Sequence, residues 1–218
     1  MRDSATTLQS ECTEAERAAL QDVLLQAGYT GAHLEIGTAA GGTLKELMGV
    51  YPDADSRPTF FVIDPMTYFP DQMTKVRQNL SSAGIAPDSV TFHVGTTRSF
   101  LPIAKSHKLR FDFVFIDGDH RQLPVLLDLQ MADFVTVGGT IALHDDNDRF
   151  PGVGWAISRF LDRNPGFTHL GTTESLTLLR KMAPSAHNAV TPGDLLMARI
   201  AQTWASWKRS WRKRTRRG

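Results

Sequence analysis

Apolar and polar positions along this chain switch back and forth between two periods. Thr13–Gly28, TEAERAALQDVLLQAG, places apolar residues at helical spacing; Thr13 is a good N-cap, Glu16 three residues on closes a capping box, and Gly28 supplies the stop. AHLEIG (32–37) then reads as a strand, and GTLKELMGVY (42–51) as the helix that follows it. The alternation repeats: TFFVID (59–64) is a strand, DQMTKVRQNLSSAG (71–84) a helix, SVTFHVG (89–95) a strand, and SFLPIAKSHK (99–108) a short helix interrupted early by Pro102. FDFVFID (111–117) and GGTIALHD (138–145) are further strands, with helices in QLPVLLDLQMADFV (122–135) and GVGWAISRFLDRN (152–164). FTHLGTTESLTLLRK (167–181) contains two strands around a tight turn, a hairpin rather than a crossover.

Five strand–helix units followed by a hairpin imply an α/β fold: a Rossmann-like, seven-stranded, mostly parallel sheet with one antiparallel edge strand and helices on both faces. At 218 residues and 41% hydrophobic content the chain is long enough for one sizeable domain. The pattern divides it into an N-terminal helical segment (1–30), the α/β domain (31–183) and a basic, Trp-containing C-terminal helix and tail (184–218). A single cysteine, Cys12, allows no internal disulfide and leaves no cysteine partner for a zinc site. The N-terminus has no apolar signal region and no stretch is long enough to span a bilayer, so a cytoplasmic location is expected.

The strand ends carry unusual chemistry. FIDGDH ends in Asp117, Asp119 and His120, and IALHDD ends in His144, Asp145 and Asp146. In a parallel sheet these ends meet at one edge, where open α/β folds bind ligands. At that edge the first turn, HLEIGTAAGGT, supplies Gly37, Gly41 and Gly42 for close backbone approach, and Asp64 ends the next strand where a carboxylate can hold a ribose. Ala39 stands where a dinucleotide fold needs its second glycine, which argues against a pyrophosphate and leaves a nucleoside ligand, with Glu35 available to an amino group.

Over 32–181 the sequence resembles the class I S-adenosylmethionine-dependent methyltransferases, and within them the metal-dependent O-methyltransferases of small molecules, of the macrocin-type sugar and catechol kinds. LEIGTAAGGT resembles their first motif. The resemblance implies that Glu35, Gly37, Thr38, Gly41 and Thr43 handle the methionine end of the cofactor, that Asp64 binds its ribose, and that Thr97 in HVGTTRSF lies beside the adenine. FIDGDH and LHDDN are similar to the family's paired metal motifs, which implies Asp117, Asp145 and Asp146 as ligands, with Asp117 also bordering the cofactor. Several relatives carry a lysine three residues after the first metal acid; this chain has His120.

Three carboxylates form an oxygen-only site suited to Mg²⁺ or Mn²⁺. The expected reaction is methyl transfer to a hydroxyl of a small molecule, a sugar or glycosylated metabolite being favoured and a catechol the alternative, with Asp119 or His120 taking the proton. A protein that only binds the cofactor is the reading from another class. His144 is expected to orient the neighbouring carboxylates. No Asn/Asp-Pro-Pro-aromatic run follows the fourth strand, and residues 1–207 hold 17 basic and 23 acidic groups, so nucleic acid is not the expected partner. The last eleven residues, by contrast, hold seven Lys and Arg and no acid. Ile200, Trp204, Trp207 and Trp211 recur along one stripe of a helix beginning after Pro192, which suits either packing on the domain or a peripheral contact with an anionic membrane. The resemblance further allows a homodimer.

Overall fold

The computed structural model describes residues 9–51, 53, 57–185 and 187–215, with side chains as far as Trp207. In chain order the elements are α1 (Glu14–Ala27), β1 (Ala32–Ile36), α2 (Gly42–Gly49), β2 (Phe60–Asp64), α3 (Gln72–Ser82), β3 (Val90–Val94), α4 (Thr97–Ser106) and β4 (Phe111–Ile116). Then follow α5 (Gln122–Asp128), β5 (Val135–Leu143), α6 (Pro151–Arg163), β6 (Phe167–Thr173), β7 (Leu176–Lys181) and α7 (Pro192–Thr215).

The seven strands form one sheet in the order β3-β2-β1-β4-β5-β7-β6. β1 to β5 are parallel, and the hairpin completes the edge: β7 runs antiparallel to both β5 and β6, with β6 outermost. Successive side chains of a strand point to opposite faces, so the continuous apolar runs supply both cores. Val114 and Ile116 join Leu34, Ile36, Ile141 and Leu143 beneath α4 to α7, while Phe113 and Phe115 join Phe60, Val62 and Ala142 beneath α1 to α3.

The local signals act as their chemistry requires. Thr13 Oγ1 accepts from the Glu16 amide (3.2 Å), Glu16 Oε2 accepts from the Thr13 amide (2.9 Å), and Gly28 ends α1 at φ 59°. Pro102 does not interrupt α4, which starts two residues before the predicted segment and ends at Ser106, two residues before that segment's end. The ring is on the exposed side, where water can take the carbonyl that its missing N–H leaves unbonded. The helix predicted over 122–135 is shorter: after Asp128 it tightens into a 3₁₀ turn, Leu129–Phe134, that leads directly into β5.

Candidate active site

The chain order reverses between β1 and β4, which places the crevice of this fold at their C-terminal ends. Gly37 makes the closure there possible. Its φ is +81°, and a Cβ would lie 2.3 Å from the Asp117 carbonyl oxygen, so no other residue lets the two strand ends approach as they do. The Gly37 amide donates to Ile63 and the Asp117 amide to Ile36, carrying the ladder past the strand ends.

On the β1–β2 side Glu35 is fully buried. Its Oε2 accepts from Thr38 Oγ1 (3.1 Å), whereas its Oε1 meets no hydrogen-bond partner among the described residues. Burial, helped by the nearby Asp117 and Asp64, holds the Glu35 pKa well above its ordinary value, and the Thr38 bond only partly opposes this. An orphaned acceptor in a desolvated carboxyl fits a ligand's ammonium group. Asp64 stands at the end of β2 and its carboxylate is already engaged: Oδ2 accepts from the Thr38 amide (2.9 Å), Oδ1 from the Met66 amide (2.6 Å) and Gln72 Nε2 (3.2 Å). Oδ1 thus accepts two bonds and Oδ2 one, which leaves an Oδ2 lone pair for a ribose hydroxyl, and a second hydroxyl can bind where it displaces the Gln72 amide.

Other residues of the expected cofactor site have partners that the sequence did not announce. Gly41 caps α2 at φ 79°. Thr43 Oγ1 lies 2.7 Å from Ser10 Oγ, and a Cβ on Gly42 would come 2.3 Å from the Gln9 carbonyl carbon, so residues 9–12 lie directly on the glycine turn. Thr97 begins α4 and donates to Asp128, a buried acid whose pKa burial pushes up to about 7. Asp128 also lies beside Gly118, next to the motif acid Asp117. The N-terminal segment is described from residue 9 onward.

On the β4–β5 side, donor atoms of Asp117, His120 and Asp145 all lie within 4.8 Å of one another. His120 Nε2 is 3.1 Å from Asp145 Oδ2 and 3.6 Å from Asp117 Oδ1, without an aligned hydrogen bond to either, and its ring packs against Phe150 at 4.4 Å. Burial alone would lower the His120 pKa; the two carboxylates outweigh it and raise it. Asp145 turns into the cluster from a left-handed backbone, φ 63°, steadied by Asn147 Nδ2 donating to its Oδ1 (3.2 Å). Strain of this kind in a non-glycine residue persists where surrounding structure holds it, as at functional sites.

Two expected members of this group face elsewhere. Asp146 Oδ2 accepts from Thr177 Oγ1 (2.7 Å) and its amide donates to Ser175, so β7, not Asp117, takes its carboxylate. Asp119 pairs with Arg121 through both oxygens; burial raises its pKa, but the guanidinium prevails and lowers it, which makes it a poor proton acceptor. The donor atoms that the fold brings within 4.8 Å of one another are thus those of two carboxylates and an imidazole, while the Thr177 bond occupies one oxygen of Asp146. The carboxylates of Asp117 and Asp145 fit a divalent cation as hard oxygen ligands, with His120 Nε2 beside them as a group able to exchange a proton.

His144 orients Asp117: Nδ1 lies 3.0 Å from Asp117 Oδ1, and Nε2 lies 3.1 Å from Glu16 Oε2. Burial lowers the His144 pKa, yet the Asp117 carboxylate raises it far above the ordinary histidine range. Glu16 was legible only as a capping residue. In the fold it is buried, bonded also to the Ser175 amide and hydroxyl (2.9 and 2.6 Å), and these bonds bring its pKa down to about 2 against the opposing effect of burial. Cys12, without a second cysteine, is nevertheless buried beside Glu16 and His144. Of the remaining histidines, His33 is a core residue, bonded to Tyr51 (2.6 Å), with burial lowering its pKa to about 4.

This sheet order, with a buried acid at β1, a second at β2 and an acid–histidine cluster at β4 and β5, forms the ligand-binding edge of an open α/β fold. A methyltransferase-domain family matches residues 34–146, just over half of the chain, and the chain belongs to that family. Its fold is shared with an O-methyltransferase from Bacillus cereus solved with S-adenosylhomocysteine (18% identity, 83% of this chain and 86% of that one, TM-score 0.64). It is also shared with CalS11, a TDP-rhamnose 3′-O-methyltransferase of calicheamicin biosynthesis (19%, 76% and 78%, 0.61), and with TomG from Streptomyces achromogenes solved with S-adenosylmethionine (19%, 79% and 82%, 0.60). No curated protein matches the chain.

Proposed function

We propose that this methyltransferase moves the sulfonium methyl of S-adenosylmethionine to a hydroxyl of a small molecule, and that it uses a divalent cation, Mg²⁺ or Mn²⁺, to do so. The observation that carries this reading is the convergence of Asp117, His120 and Asp145 one strand away from the orphaned Glu35 oxygen. Glu35 would receive the cofactor's ammonium and Asp64 its ribose, leaving the methyl to face the β4–β5 side. A divalent ion held by Asp117 and Asp145 would acidify an acceptor hydroxyl and neutralise the charge that keeps His120 protonated.

The chain's own groups then do the rest. His120 Nε2 takes the hydroxyl proton, the oxygen attacks the methyl carbon, and the carbon–sulfur bond breaks with its electron pair remaining on sulfur, leaving S-adenosylhomocysteine. His144, fixed by Glu16, keeps Asp117 aimed into the cluster. Alignment of the two reactants is the main catalytic contribution that such a site can make. A sugar or glycosylated acceptor is favoured, in keeping with the fold shared with CalS11, which acts on TDP-rhamnose. Incubation with labelled S-adenosylmethionine and a panel of glycosides and catechols tests this. Metal-dependent labelling of a glycoside, lost in EDTA, is expected; labelling of catechols alone would replace the sugar reading, and full activity in EDTA would remove the metal from it.

A further inference from the structure

The expectation left open by the tryptophan stripe was whether it packs on the domain. α7 is 24 residues long, about 36 Å at 1.5 Å per residue. It docks by one face: Asp194 binds Arg159 (2.9 Å) and Arg163 (3.2 Å) of α6, Gln202 Oε1 accepts from the Leu123 amide of α5 (3.3 Å), and Ala198 is fully buried. The opposite face is also apolar. Leu196, Met197, Ile200, Trp204 and Trp207 occupy a single stripe of the helix and are 60%, 45%, 49%, 59% and 63% exposed. Leu196 also borders an apolar groove of about 570 Å³ between α4, α5 and α7, flanked by Arg98 and Arg199. A helix with two apolar faces is built to meet something on each.

The sequence indicates what meets the outer face. The helix continues through Lys208, Arg209, Trp211, Arg212, Lys213 and Arg214, and the last eleven residues hold seven cations and no acid. The positions of the side chains after Trp207 lie outside the described residues. We propose that α7 is an interfacial helix that docks this protein on an anionic lipid surface, its exposed leucine, isoleucine and tryptophans at headgroup depth and its cations against lipid phosphates. Among the described residues no helix is long and apolar enough to cross a membrane, so the contact is peripheral. A second copy of the chain fits the outer face less well. Packed in parallel, it would bring two cationic stretches together with no acid among the last eleven residues to offset them, and an antiparallel copy would leave both stretches without an anionic partner at the ends of the pair. Nucleic acid fits less well too, since a duplex offers phosphates to the cations but no apolar layer in which the exposed stripe can be buried.

The test is co-sedimentation of the full chain with phosphatidylglycerol-containing vesicles, read alongside tryptophan emission and size-exclusion chromatography. Binding at low salt is expected, with a blue shift of tryptophan emission. It should be about tenfold or more weaker for neutral phosphatidylcholine vesicles or at high salt. W204A/W207A, and separately K208Q/R209Q/R212Q/K213Q, should each weaken binding about tenfold or more while the far-UV circular dichroism and cofactor affinity stay unchanged. Failure to bind anionic vesicles would overturn the proposal. So would unchanged binding by W204A/W207A, a concentration-dependent dimer that this variant dissolves in the absence of lipid affinity, or preference for a DNA duplex over vesicles.

Discussion

The two halves of the active-site edge handle buried negative charge in opposite ways. On the β1–β2 side no cation lies near Glu35 among the described residues; burial keeps its pKa high and one of its oxygens meets no partner among them. On the β4–β5 side Asp117 is flanked by His120 and His144, which overcome burial and lower its pKa. The first half therefore lacks the charge that a ligand would bring, and the second already carries compensation. A carboxyl without a partner inside a fold marks a place for a cationic ligand, while a carboxylate with two histidines marks a group kept ionised and aimed.

The largest effect should come from the compensated half. Asp145→Ala is expected to lower methyl transfer by roughly 100-fold or more, while cofactor affinity measured by calorimetry changes little, because Asp145 meets the cluster and Asn147 rather than Glu35, Thr38 or Asp64. Equal losses in both would place Asp145 in the cofactor site. Next comes Asp64→Ala, which should weaken cofactor binding by one or two hydrogen bonds to a charged acceptor, about 1.5 to 3 kcal/mol each. An unchanged dissociation constant would move the ribose elsewhere. Glu35→Gln should cost about tenfold in cofactor affinity and little in thermal stability, since burial raises the carboxyl's pKa and disfavours its charge, and the amide is a neutral replacement of the same shape. A large loss of stability would mean that Glu35 is ionised and paired in the free protein.

Glu16→Gln sharpens the comparison from the N-terminal helix. Loss of the His144 counter-charge should lower activity about tenfold, with cofactor affinity retained. The same substitution has a pH signature. Glu16 has a folded-state pKa lowered to about 2 from 4.5, so its contribution is present above pH 4.5 and lost as pH falls towards 2. Denaturant unfolding should show the wild type losing stability over that window and Glu16→Gln losing less. The smallest effect is that of Asp128→Asn, a change in stability alone. The folded-state pKa of Asp128 is raised to about 7 from 3.8, so its contribution is present below pH 3.8 and lost as pH rises through 7. The variant should gain on the wild type by about 1 kcal/mol or more at pH 8 relative to pH 4. No difference between the two pH values would show Asp128 to be solvated.

Much of this was legible in the chain. The alternation of short apolar runs with amphipathic segments determined seven strands and their flanking helices, because a strand buried on both faces must be continuously apolar and its covering helices apolar on one side only. Strand ends that finish in Glu35, Asp64, Asp117 and Asp145 placed four acids on one edge, since parallel strands share a direction. What those acids face was not legible. Asp146 and Asp119 follow the same strands within a residue or two of Asp145 and Asp117, yet Thr177 of the hairpin and Arg121 of the next turn take their carboxylates. Glu16 lies 128 residues before His144 and looked like a helix cap, and only the docking of α1 beside the β6–β7 turn makes it a partner of the site. For α7 the sequence determined a stripe of apolar residues, but not which of its two apolar faces the domain would bury. Ala198, one turn past Asp194, is buried against the domain with Leu195 packed on the same core, and Leu196, Ile200, Trp204 and Trp207 are left outside. Periodicity is a property of one segment, whereas the partner of a side chain is set by segments far away in the chain, so the first is written locally and the second is decided only when the chain closes.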